Sequence, residues 1–133
     1  MKEITELEAE VGFVLASRFS GAILFQEIID WCFYKIESFS DLPTYIFDIV
    51  STSSISELRD AVGILQYGRF NYELSDSEWE ALTGIAYKRG FYTKENPCDV
   101  CTEKTALKNL EKNPHILERF KQTFPFIKLE WGE

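Results

Sequence analysis

The stretch AILFQEIIDWCFYKIE, residues 22–37, decides how the rest of the chain must be arranged. Eleven of its sixteen residues are apolar. At about 100° per residue on a helix, four of the polar side chains fall within one quadrant: Gln26, Glu27, Asp30 and Glu37. A helix that is apolar over most of its circumference has to be covered by several neighbours. We therefore expect an all-α fold, a compact bundle of six to seven helices around residues 22–37 as its central helix.

The other helices are predicted from apolar spacing and from local start and stop signals. Ser20 and Asp41 are the expected N-caps of the central helix and of a short helix that follows Pro43. Ser54 with Glu57, and Ser75 with Glu78, have the spacing of capping boxes, and Gly90 suits the end of the second of these helices. The predicted helices around the central one cover residues 3–18, 43–50, 54–65, 76–89, 102–112 and 114–124.

A small two-stranded β ribbon is the one alternative to a purely helical chain. Phe70, Tyr72 and Leu74 alternate with polar residues, as they would in a half-buried strand. A single short strand cannot stand alone, and residues 127–131 alternate in the same way. The sequence therefore leaves open a ribbon between these two segments.

Length and composition indicate one globular domain that is expected in the cytoplasm. The chain has 133 residues, three cysteines and no apolar segment after Met1, so we expect neither a disulfide framework nor a signal peptide. The net charge is −8: residues 1–80 hold 15 acids and 5 bases, and residues 81–133 hold 7 acids and 9 bases. Such a charge disfavours direct binding to nucleic acid or to an anionic membrane and attracts basic partners, although it also simply favours solubility.

The segment NYELSDSEWE, residues 71–80, is the first candidate for a partner-binding surface. It crowds four acids beside two large aromatic residues, a combination that can steer a basic partner and anchor it. Helix capping and core packing are the alternative explanation of the same residues. Asp41 and Asp48, which flank Tyr45, are a possible extension. The predicted surface consists of Tyr72, Glu73, Asp76, Glu78, Trp79 and Glu80, with a second patch at Glu3, Glu6 and Glu10.

Cys98-Asp-Val-Cys101 is the most conspicuous local motif, because two thiolates at this spacing can hold one side of a zinc ion. His115 would be a third ligand, but the chain has no second histidine, and its third cysteine, Cys32, lies in the central helix. Redox chemistry at such a motif is typical of a βαβ setting, which is not predicted here. Two ordinary thiols are therefore the interpretation that the sequence favours. We also expect no enzyme activity, since no nucleophile motif or phosphate-binding loop is present.

A small, acidic, helical chain without a catalytic motif resembles the immunity proteins of bacterial colicin and contact-dependent inhibition systems. The resemblance is one of size, charge and organisation. It implies a protein that binds a basic toxin domain, typically a nuclease, and blocks its active site or substrate groove without a cofactor. The alternative function is a structural or regulatory module with a metal held by Cys98, Cys101 and His115. Aromatic side chains left exposed could also form a homodimer interface.

Overall fold

A computed structural model describes residues 2–66 and 72–129, with the backbone alone for residues 2–5 and 61–66. This part of the chain forms seven α-helices and no strand, so the all-α prediction is confirmed. Within the same residues, no helix is both long and apolar enough to cross a membrane. The helices are α1 (Lys2–Phe19), α2 (Phe25–Ser38), α3 (Thr44–Val50), α4 (Ile55–Gln66), α5 (Asp76–Lys88), α6 (Glu103–Lys112) and α7 (Pro114–Thr123).

The β ribbon is not supported. Residues 72–75 and 127–129 lie outside regular secondary structure, and the remaining parts of the two predicted strands fall outside the described residues. Tyr72 and Leu74 instead pack as partly buried side chains against the helical core, as do Ile127 and Leu129. The apolar residues of these irregular segments thus face the helical core without forming strands.

The capping residues were predicted with mixed success. The Ser75–Glu78 box is complete, since each residue's side chain accepts the other's backbone N–H. Ser54 accepts the N–H of Glu57 as predicted, but the Glu57 carboxylate bonds to Ser53 instead of Ser54.

Two predicted N-caps are wrong. The Ser20 hydroxyl donates to the Ser17 carbonyl at the end of α1, and α2 begins only at Phe25, where Glu27 accepts the N–H of Leu24. Pro43, and not Asp41, occupies the N-cap of α3, which has no side-chain cap bond.

Two helices other than α2 contain runs of seven buried residues, and residues 11–17 of α1 form the first of them. In α5, seven consecutive residues from Ala81 to Tyr87 are buried, and α5 packs along α6 and also against α7. In α2, four residues are buried, including Trp31, whereas Phe33 is 51% exposed. Residues of α1, α2 and α5 thus belong to one main core. Gly84 allows the backbone of α6 to lie close to α5.

A partly buried ion pair joins α2 to the end of α5. Arg89 donates two hydrogen bonds to the Glu27 carboxylate, at 2.8 and 2.7 Å, and a third to the carbonyl of Ala22 at 2.9 Å. Its guanidinium carbon lies 4.7 Å from the centre of the Phe91 ring. Glu27, on the predicted polar stripe of α2, is therefore largely shielded from water and joins two elements that are distant in sequence.

Candidate partner-binding surface

The start of α5 positions the predicted acidic cluster. Ser75 accepts the backbone N–H of Glu78 at 3.1 Å and fixes the first turn, with Asp76 as the first helical residue. The Glu78 carboxylate accepts the N–H of Ser75 at 3.0 Å and lies 2.6 Å from Nε2 of His115, at the start of α7. The backbone bond from Ser75, followed by the contact with His115, lowers the pKa of Glu78 from its ordinary value of 4.5. Glu78 is therefore a charged residue that already has partners.

Two other predicted residues also serve the fold. The Glu80 carboxylate accepts a hydrogen bond from the side-chain amide of Asn109 at 2.6 Å, which ties α5 to α6. Trp79 is half-buried and packs against the main core. The alternative explanation of the cluster thus accounts for Glu80 and for part of Trp79, whereas Glu73 and Asp76 are exposed.

Among the predicted residues, Tyr72 is held by contacts with both an aromatic ring and a cation. Its ring meets Phe13 edge-on, with centroids 5.1 Å apart. The guanidinium carbon of Arg119, in α7, lies 5.2 Å from the Tyr72 ring and 5.7 Å from the Phe13 ring. Edge-to-face contacts and cations over aromatic rings are both attractive, so Tyr72 is held between the core and Arg119. A partly exposed aromatic ring that is held in this way is suited to anchor a partner.

Two open depressions meet at Tyr72. The first has a volume of about 700 Å³ and is lined by Tyr72, Glu73, Leu74, Ser75, Glu78 and Trp79. The second has a volume of about 450 Å³ and is lined by Glu6, Ala9, Glu10, Tyr72, Arg119, Gln122 and Thr123. The sequence predicted two separate acidic patches, one at residues 72–80 and one on α1. The structure brings Glu6 and Glu10 of the second patch to the other side of Tyr72 from Glu73 and Glu78. We call the residues that line the two depressions the Tyr72 surface.

The acids of the Tyr72 surface differ in how far they are already paired. Glu10 forms an ion pair with Lys35 at 2.9 Å, and its side chain is 19% exposed. Glu6 and Glu73 are exposed, and Asp76 is exposed beside the first depression. The carboxylates best placed to meet a partner are therefore those of Glu6, Glu73 and Asp76. The side chain of Glu3 lies outside the part of the chain whose side chains are described.

Sequence reasoning missed Arg119, which is the cation of the Tyr72 surface. Its Nε is buried and, among the described residues, has no hydrogen-bond partner. Neither spacing nor charge in α7 indicated this position, because the contact joins residues 13, 72 and 119 of the chain.

The possible extension of the acidic surface consists of Asp41 and Asp48 without Tyr45 between them. Tyr45 is 3% exposed and belongs to the main core, so it is not available as an anchor. Asp41 and Asp48 are exposed, as surface acids are expected to be.

The structure does not bring together the three residues predicted as metal ligands, Cys98, Cys101 and His115. Among the side chains that the structure describes, no three His, Cys, Asp or Glu residues form a group that could hold a metal ion. His115 pairs with Glu78 at the start of α5, whereas Cys98 and Cys101 contact Tyr87 near its end. His115 thus lies beside one end of α5, and the two cysteines lie beside the other end.

Comparisons with known proteins found no match: no family model, no curated protein and no solved structure is similar to this chain.

Proposed function

We propose that the protein is an inhibitor of the bacterial immunity type, which binds a basic toxin domain through the Tyr72 surface. The observation that carries the proposal is the meeting of two acidic depressions at one partly buried tyrosine. Their carboxylates would attract a basic domain and take the place of nucleic-acid phosphates in its substrate groove, so that the groove of a nuclease is blocked.

The aromatic residues supply what charge alone does not. Charged groups at the rim of an interface mainly set the rate of association, whereas tyrosine, tryptophan and arginine carry much of the binding energy. Tyr72, Trp79 and Arg119 are residues of these three kinds. Because Tyr72 is held by Phe13 and Arg119, it would lose little conformational freedom when a partner covers it.

Charge reversal at Glu6 and Glu73 tests the surface. One residue comes from each depression, and both are exposed, so Glu6→Lys with Glu73→Lys should leave the fold intact. Reversal of Glu78 or Glu80 would be a poor test, because it would also break bonds to Ser75 or Asn109. We expect association with the basic partner to slow by about tenfold or more at low salt, and the difference to shrink as salt is added.

The matched control reverses Glu95 and Asp99, two exposed acids in the loop after α5. This pair changes the net charge by the same amount, so any effect of overall charge is shared by both variants. The partner is obtained by capture from the native cell at low salt, elution with salt and mass analysis. Its association rate with each variant is then measured, together with the loss of its nuclease activity when this protein is added. Equal rates for the two variants would exclude the Tyr72 surface as the interface.

Self-association is the alternative, and it has its own observation. Phe33, Phe39 and Phe47 are each about half exposed, at 51%, 53% and 47%. Aromatic area of this kind is enriched in interfaces between protein chains. Sedimentation of the purified protein distinguishes the two functions. A dimer that dissociates when Phe33→Ser and Phe47→Ser are introduced would favour self-association. A monomer at all concentrations would exclude it.

A further inference from the structure

A single hydroxyl group holds both ends of the Cys98–Cys101 segment. The Tyr87 hydroxyl accepts the backbone N–H of Cys98 at 3.0 Å and donates to the backbone carbonyl of Cys101 at 2.9 Å. These two backbone atoms are therefore no further apart than the sum of the two distances. A fully extended four-residue segment would separate its ends by about 10 Å, too far for a disulfide, which needs Cα atoms about 4.4–6.8 Å apart.

The surroundings keep this folded-back segment in place. Tyr87 is 7% exposed and forms a small cluster with Cys101 and Ala106, against which Cys98 and Tyr92 pack. The rings of Tyr87 and Tyr92 lie 5.4 Å apart. Both cysteine side chains thus contact the same group of residues, while the two residues between them, Asp99 and Val100, point to solvent.

The two thiols differ in access. Cys98 is half-buried and can be reached from solvent, whereas Cys101 is 6% exposed. Burial, with the nearby charges of Glu80 and Cys98, raises the pKa of Cys101. Cys98 is therefore the thiol that an oxidant meets first, and Cys101 is held behind it. Cys32 is fully buried in the core, where burial raises its pKa to about 12, so it serves as an internal unreactive control.

We propose that Cys98 and Cys101 form a reversible disulfide by exchange with a small-molecule disulfide such as oxidised glutathione. The Cys98 thiolate attacks one sulfur of the glutathione disulfide, which forms a mixed disulfide on Cys98 and releases one glutathione thiolate. Cys101, after losing its proton to solvent, attacks the Cys98 sulfur and releases the second glutathione. The two cysteines are oxidised by two electrons, and one glutathione disulfide is reduced to two thiols.

Mass analysis of the full chain in glutathione buffers tests the proposal. Protein equilibrated at a series of ratios of oxidised to reduced glutathione is quenched with acid, alkylated under denaturing conditions and cleaved with trypsin. Both cysteines then lie in the peptide of residues 95–104, and Cys32 lies in the peptide of residues 19–35. We expect the first peptide to lose the mass of two hydrogen atoms and both alkyl groups as the buffer becomes oxidising, while Cys32 stays alkylated. A peptide 95–104 that keeps two alkyl groups, or only a glutathione adduct, at every ratio would overturn the proposal.

Three variants test the assigned roles. Cys101→Ser should accumulate a glutathione adduct on Cys98, and Cys98→Ser should form no adduct, because the two remaining thiols, of Cys32 and Cys101, are buried. Tyr87→Phe keeps the ring and removes the hydroxyl, so the ratio of disulfide to dithiol in a given buffer should fall about three- to tenfold, the equivalent of one hydrogen bond. Tyr34→Phe is the control and should leave that ratio unchanged. An unchanged ratio in Tyr87→Phe would overturn the role of Tyr87, and an adduct in Cys98→Ser would overturn the order of attack.

Discussion

Arg89 shows how one side chain can connect parts of the chain that are far apart in sequence. It lies 62 residues from Glu27, and both side chains are largely shielded from water, with 14% and 15% of their areas exposed. Two parallel hydrogen bonds between a guanidinium and a carboxylate are stronger than a single contact, and the bond to Ala22 fixes the turn before α2. A cation at the end of a helix also suits the helix dipole, but that local effect does not indicate a partner 62 residues away.

Replacement of Arg89 by methionine should destabilise the protein by about 2–4 kcal/mol, because it leaves the Glu27 carboxylate partly buried without its cation. The free energy of unfolding is measured with urea. Lys88→Met, at the exposed neighbouring position, is the control and should cost less than about 0.5 kcal/mol. The double variant Glu27→Gln with Arg89→Met should recover part of the loss, and equal effects of Arg89→Met and Lys88→Met would contradict the role of the ion pair.

At the scale of the single helix, the N-terminus of α5 is stabilised both by bonds between its own residues and by a contact from α7. The reciprocal bonds between Ser75 and Glu78 satisfy two backbone N–H groups at the N-terminus of α5, and the Glu78 charge faces the positive end of the dipole. His115 adds a contact from α7 that no local pattern predicts. The first depression of the Tyr72 surface is therefore built on a firmly held helix start.

Glu78→Gln is expected to reduce stability at neutral pH by about 0.5–1 kcal/mol, since the amide keeps the hydrogen bond but loses the charge. The pKa of Glu78 is lowered by folding, so its charged form stabilises the protein above the ordinary value of 4.5. That contribution is lost as the pH falls through the lowered pKa.

The measurement that checks this expectation is urea unfolding between pH 7 and pH 3, where the difference between wild type and Glu78→Gln should shrink as the pH falls below 4.5. Glu118→Gln, at an exposed position in α7, should show a small difference throughout. A Glu78→Gln difference that stays constant with pH would show that the charge of Glu78 contributes nothing.

At the scale of the whole molecule, the close contact between α5 and α6 organises the core. A methyl group added at Gly84 would lie 2.6 Å from the carbonyl oxygen of Ala106 and 3.1 Å from Cβ of Leu110. Backbone atoms cannot move aside as the end of a flexible side chain can. Glycine at this position therefore allows α5 and α6 to pack closely.

Gly84→Ala should destabilise the protein by about 1–3 kcal/mol, although alanine is the better helix former by roughly 1 kcal/mol. Lys108→Ala, on the exposed face of α6, is the control and should be neutral within about 0.5 kcal/mol. Thermal unfolding of the two variants gives the comparison. A more stable Gly84→Ala protein would mean that α6 can move away from α5 without cost.

The features that were predicted correctly depend on contacts a few residues apart. The Ser75–Glu78 box, the end of α5 before Gly90 and the start of α7 at Pro114 follow from bonds and backbone preferences within one or two helical turns. The sequence predicted one central helix from apolar content as the measure of burial, whereas the longest buried runs lie in α1 and α5. Small residues such as Ala81, Gly84 and Ala86 contribute little to that measure, yet they permit the closest packing.

The sequence by itself determined the all-α class, the approximate helix boundaries and the acidic character of the two patches. Only the tertiary structure decided which acids are free and which are paired, since Glu27, Glu78 and Glu80 find their partners 62, 37 and 29 residues away. It also decided that the patch on α1 and the patch before α5 share Tyr72. Contacts of this kind depend on how helices pack on one another, and helical periodicity carries no information about which distant residue will be opposite.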